Sequence, residues 1–161
     1  MKKSEKNRIL SGLFLCLALA VTAFIFYQSL KSREQSSTTS GFLMCILKPL
    51  LDPNNRIAEE IFHHYLRKTA HFTEFFALGL CWCAYGWQRE GRTEKSYTLL
   101  SFLLTLSTAV ADEYIQFFSQ RGSAVTDVVL DYAGAITGIG MVLLLKLCVR
   151  RWRSTKKEMP L

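Results

Sequence analysis

A chain of 161 residues, half of them hydrophobic and with a formal net charge of +7, is of a size for one domain. Its apolar residues, however, are gathered into runs that a soluble domain rarely carries. Five cysteines, odd in number and without a C-x-x-C spacing, support neither a disulfide framework nor a zinc knuckle and read as small apolar packing residues. No H-E-x-x-H, G-x-S-x-G or phosphate-binding glycine loop is present, which removes the common catalytic signatures.

Four stretches have the length and composition of membrane helices: residues 9–30, 69–88, 96–118 and 124–147. The first follows a basic N-terminus, 1–8, with Lys2, Lys3, Lys6 and Arg8. Its uncharged run is longer than the core of a signal peptide and lacks an A-x-A cleavage site, so an uncleaved helix is expected. It closes on Phe24, Phe26 and Tyr27, aromatics suited to the membrane interface. Residues 31–66 are expected to form an external loop. Within it, the polar run 36–40 reads as a flexible linker, and the apolar run 42–47, closed by Pro49, is too short to span and reads as an interfacial segment. Asp52, Pro53, Asn54 and Asn55 read as a turn with Asn55 as N-cap. From Arg56 a helix places Ile57, Ile61, Phe62 and Tyr65 on one side, with Glu59, Glu60, His63 and His64 largely elsewhere, and runs on into the second span.

The second span opens with Arg67, Lys68, His71 and Glu74. At 100° per residue, Arg67, His71 and Glu74 share one stripe. The third is polar only near its far end, where Asp112 and Gln116 stand one turn apart and Glu113 is offset. A short tip around Arg121 makes the third and fourth spans antiparallel neighbours. On the fourth, Asp127, Asp131, Gly134 and Gly138 fall on one stripe, and the two glycines have the G-x-x-x-G spacing that admits a close helix neighbour. The acids therefore face the packing side and not lipid.

An acid at mid-membrane costs about 2.5–3.5 kcal/mol on insertion scales. This chain sets Glu74, Asp112, Glu113, Asp127 and Asp131 against Arg67, Lys68 and Arg121, all at similar depth when each helix rises about 1.5 Å per residue. One site is expected, with the excess negative charge met by a proton, Asp131 being the first candidate, by a charged His71, or by a bound cation. Because no H-x-x-x-H spacing occurs among the three histidines, no metal site or other cofactor is expected from spacing.

Lysines and arginines divide thirteen to seven between the two sides of such a four-helix arrangement. The positive-inside rule then puts both termini in the cytoplasm and the polar site in the outer half of the membrane. The basic tail 148–161 reads as a topology anchor, with Trp152 at the interface, and not as a nucleic-acid binder. The fold class expected is an all-α membrane protein: a bundle of four transmembrane helices with an extracellular amphipathic segment between the first two.

Two blocks of residues carry a resemblance. Arg67-Lys68-x-x-His71-Phe72-x-Glu74-Phe75 is similar to R-K-x-x-H-F-x-E-Y of the VanZ-like family. Asp112-Glu113-x-x-Gln116-x-Phe118, with Arg121, Gly122, Asp127, Asp131 and Gly134, resembles that family's D-E-x-x-Q-x-F…R-G…D…D/N-x-x-G. Phe75 stands where Tyr is usual, and the proline often found before the tip is missing at Ser119-Gln120; neither departure touches the charged set. The resemblance places the family's core at 67–147 and implies a small multi-pass protein of the bacterial cytoplasmic membrane. The family is named for a protein of low-level resistance to the glycopeptide teicoplanin. A polar pocket for a cell-wall precursor, another lipid-linked phosphate or a membrane-protein partner is the favoured reading. A hydrolase or transferase acting on a lipid phosphate is the alternative. Proton- or cation-coupled transport ranks below both, since no second half repeats the pattern.

Overall fold

The structure, a computed structural model, describes residues 3–31, 33–93, 96–119 and 124–158. These form helices α1 (Lys3–Leu30), α2 (Arg33–Leu51), α3 (Glu59–Thr93), α4 (Thr98–Phe118) and α5 (Val125–Glu158), with no strand among the described residues. Three stretches, Asn7–Leu30, Thr98–Phe118 and Val125–Lys156, are long and apolar enough to cross a membrane. On these helices Leu13, Leu19, Leu103, Leu144 and similar side chains are exposed, a surface suited to acyl chains and not to water.

The 35-residue α3 is not among the three. Its charged N-terminal half, His71 and Glu74 lower its mean hydropathy, and the amphipathic rings of Trp82, Tyr85 and Trp87 add little to it. Yet α3 is the hub of the bundle. It packs most extensively on α5, then on α1, α4 and α2. A polar-bearing helix surrounded by apolar ones keeps its costly groups away from lipid.

Close approach explains the α3–α5 pair. A Cβ added at Gly134 would meet the backbone of Phe72, one at Gly138 the backbone of Phe76, and one at Gly79 the backbone of Ala135, each far inside van der Waals contact. On α1 the buried positions Ser11, Ala18 and Ile25 recur every seven residues and are followed one turn later by Ser29, a narrow seam against the bundle. The core draws Ile25, Phe75, Leu78, Ala109 and Ala135 from four helices, so no helix contributes a self-contained core.

Two local expectations are corrected. The run 36–40 is not a flexible linker; it lies inside α2. Serine and threonine are weak helix formers, but packing of α2 on α3 supplies the support that propensity lacks. Nor does Asn55 cap a helix starting at Arg56. Helix α3 starts at Glu59, Asn55 takes a left-handed backbone with φ 50°, and Asp52 holds the turn. Its Oδ1 accepts from Arg56 N at 2.9 Å and its Oδ2 from Ile57 N at 2.8 Å. The N–H groups of Ile57 and Arg56 hold the Asp52 carboxyl below its ordinary 3.8, because they stabilise the charged form. The expected continuity of the helix into the second span holds, since α3 is unbroken from Glu59 to Thr93.

Candidate functional site

The polar residues of three helices meet at one end of the bundle, where the N-terminal part of α3 lies against the C-terminal end of α4 and the start of α5. His71 Nδ1 stands 3.9 Å from Asp112 Oδ2 and 3.9 Å from Asp131 Oδ1. Asp112 is fully buried and Asp131 is 1% exposed. One turn along α4, Gln116 Nε2 donates to Asp112 Oδ2 at 2.7 Å. The other Asp112 oxygen accepts from the hydroxyl of Ser29, the last buried residue of the α1 seam. The α1 and α4 ends are thereby brought together, so the two helices run parallel.

Around this buried floor lies a pocket of about 330 Å³. His71, Asp131, Glu113 and Gln116 form its deeper wall, and Glu60, His63, His64, Arg67, Lys68, Asp127 and Leu130 complete it. Lys68 Nζ lies 3.4 Å from Asp127 Oδ1, both about a third exposed, a pair worth little to stability that fixes where the two charges sit. Glu113 Oε2 accepts from Ala124 N at 3.1 Å and so helps hold the start of α5.

Of the residues singled out from sequence, Arg67, Lys68, His71, Glu113, Gln116, Asp127 and Asp131 line the pocket. Asp112 sits beneath it. Glu74 is half-buried on α3 and does not line it. Arg121 and Gly122 fall outside the described residues. Gly134 and Gly138 lie on the α3–α5 contact described above. Sequence reasoning missed Ser29 altogether. A lone hydroxyl in an apolar run carries no cost that draws notice, and only the seven-residue seam marks its face. It also left His63 and His64 off the site, although both stand about two turns before His71 on the same helix.

A second charged cluster occupies the opposite end. Glu90 Oε2 pairs with Lys146 Nζ, and Glu90 Oε1 accepts from Tyr97 N and Ser96 Oγ, each at 3.3 Å. The pairing makes α3 and α5 parallel. From His71 to Glu90 an α-helix rises about 28 Å at 1.5 Å per residue, close to the roughly 30 Å of a hydrocarbon core. Glu90 lies just past the apolar part of α3. Burial pushes its carboxyl up, but the hydrogen bonds from Lys146 and Tyr97, the Lys146 charge and the Ser96 hydroxyl outweigh that and hold it below its ordinary 4.5.

Among known protein families, the model described as VanZ/LLP1 matches residues 14–146, from the middle of α1 to Lys146, and so takes in both charged ends and not only the motif blocks. No curated protein and no solved structure matches the chain.

Proposed function

The chain belongs to the VanZ/LLP1 family, and from that premise we propose a four-pass protein of the bacterial cytoplasmic membrane. In this reading its outward pocket binds a phosphate-bearing cell-wall precursor or another lipid-linked phosphate. Helix α3 is the fourth span. Ser29 and Asp112 bring the C-terminal ends of α1 and α4 together, so the chain has to cross back between them, and α3 is the helix of sufficient length that packs on both. The excess of basic residues at the N-terminus, around the C-terminal end of α3 and in the tail supports a cytoplasmic position for both termini and an outward pocket.

The observation that carries the ligand class is the wall of the pocket. Arg67 lines it beside Lys68, and Arg67 forms no ion pair among the described residues, whereas Lys68 is tied to Asp127. A guanidinium left available in a pocket is suited to bidentate capture of a phosphate or carboxylate. The histidines His63 and His64 flank it, and the acids below accept from hydroxyls or amines of the same ligand. A bacterial host expressing the chain is expected to tolerate teicoplanin better than an empty-vector strain, and an Asp127→Ala variant is expected not to. Equal sensitivity of empty-vector and expressing strains removes the teicoplanin role.

The enzymatic reading keeps one specific support: an imidazole nitrogen facing two buried carboxylates is an arrangement that can position a general base. Labelled lipid phosphates given to the purified protein, with and without divalent cations, separate the two. Turnover abolished by His71→Ala favours the enzyme, and binding without turnover favours the receptor.

A further inference from the structure

We propose that His71, Asp112 and Asp131 form a binding site for one divalent transition-metal ion at the floor of the pocket, a site that does not depend on which organic ligand the pocket takes. The three side chains come from α3, α4 and α5, and each offers a ligand atom within 4.8 Å of the other two. The two 3.9 Å separations from His71 Nδ1 are too long for hydrogen bonds. They match two ligands of a common ion, because metal–ligand bonds of about 2.0–2.2 Å set neighbouring ligand atoms roughly 3–4 Å apart.

Asp131 supplies an independent observation. Its side chain is 1% exposed, and neither carboxylate oxygen meets a hydrogen-bond donor among the described residues. Buried carboxylates are otherwise paired or coordinate metals. Two aspartates this close repel each other, and a cation between them turns that repulsion into attraction. Asp112 is held as a ligand is held. Ser29 and Gln116 each donate to one of its oxygens, which fixes the plane of the carboxylate, and each oxygen has two lone pairs, so these bonds are compatible with ligation.

The donor set selects the class of ion. An imidazole nitrogen disfavours calcium and magnesium, and two carboxylates beside it suit zinc, manganese or ferrous iron. Three protein ligands leave further coordination positions, and His71 and Asp131 both line the pocket. The site is therefore of the open kind, able to take an exchangeable ligand, and not of the closed structural kind.

The test uses the full-length chain, purified in detergent without a polyhistidine tag, stripped with a chelator and titrated with Zn²⁺, Mn²⁺, Mg²⁺ or Co²⁺ alone. One equivalent of Zn²⁺ or Co²⁺ per chain is expected, with visible Co²⁺ absorption bands of a low-coordinate site and a rise in unfolding temperature on metal addition. Asp131→Asn and His71→Ala are each expected to weaken uptake by at least about 10–100-fold, while Glu59→Gln, at an exposed position, keeps it. Helical circular dichroism shows whether each variant is folded, and the wild-type titration decides the matter without them. Four outcomes overturn the site: no stoichiometric uptake by the wild type; uptake that survives both Asp131→Asn and His71→Ala; uptake lost instead in His63→Ala or His64→Ala; or Mg²⁺ binding as well as Zn²⁺. None of these bears on teicoplanin tolerance or on phosphate capture by Arg67, so the failure of either reading is distinguishable from that of the other.

Discussion

Glu90, half-buried, and Asp131, buried, are both acids set against the α3–α5 pair, about one hydrocarbon thickness apart by helix rise, and their surroundings are opposite. Glu90 has a lysine on one oxygen and two donors on the other. Asp131 has a second aspartate and an imidazole nitrogen for neighbours and no donor on either oxygen among the described residues. The first arrangement spends its charges on holding two helices in register. The second sets two carboxylates beside an imidazole with no lysine or arginine paired to Asp131 among the described residues, an arrangement that adds nothing to stability by itself. A carboxylate in the same bundle is thus paired at one end and set against a second carboxylate at the other.

The most damaging change should be one that separates the two ends from their shared support. Gly138→Val pushes a branched side chain into the backbone of Phe76 and is expected to cost about 3 kcal/mol. It should show as loss of the monodisperse folded protein on size-exclusion chromatography. Glu90→Gln leaves the half-buried Lys146 without its counter-ion and should cost about 1.5–3 kcal/mol in detergent unfolding, while ligand capture at the far end is retained. If this variant also abolishes capture, the two ends are not independent.

The same clamp gives a pH dependence. Because Glu90 is held below its ordinary 4.5 in the folded bundle, its contribution is complete above that value and is lost as pH falls through the lower folded-state value. Unfolding measured from pH 6 downward should weaken more steeply in the wild type than in Glu90→Gln. At the other end the sign reverses. In metal-stripped protein at alkaline pH, where both aspartates are charged, Asp131→Asn removes one of two crowded charges and is expected to raise stability by about 1–2 kcal/mol, at the expense of metal uptake. A destabilised variant would mean that Asp131 is a structural acid like Glu90. Ser29→Ala is the mildest change. Loss of one donor to Asp112 should cost about 1 kcal/mol and loosen metal uptake by roughly tenfold.

Much of this was legible in the order of residues. Long apolar runs on a chain this short dictate helices, and a carboxylate on the glycine stripe of α5 has to look inward, so the approach of some helix to the Asp131 face was legible, while its identity as α3 came only from the structure. What escaped notice depended on contacts between helices. The imidazole and two carboxylates that cluster come from α3, α4 and α5, so no spacing of histidines along one helix reveals them. Ser29 is a polar atom too small to disturb an apolar run. Helix α2 was hidden by composition, since serine and threonine resemble a linker until packing on α3 is known. The central place of α3 was hidden for the converse reason: its polar and aromatic content makes it look least like a membrane helix, and that content is what the other helices enclose.

Backbone-to-backbone contact at Gly79, Gly134 and Gly138 also sets which parts of the bundle are free to shift. Where these glycines lie, α3 and α5 touch backbone to backbone, and the pair has the most extensive contact of the bundle, so it is the part least able to give. Since Ser29 and Asp112 are bonded to each other, a displacement of the α1 end would pull on the carboxylate that faces His71.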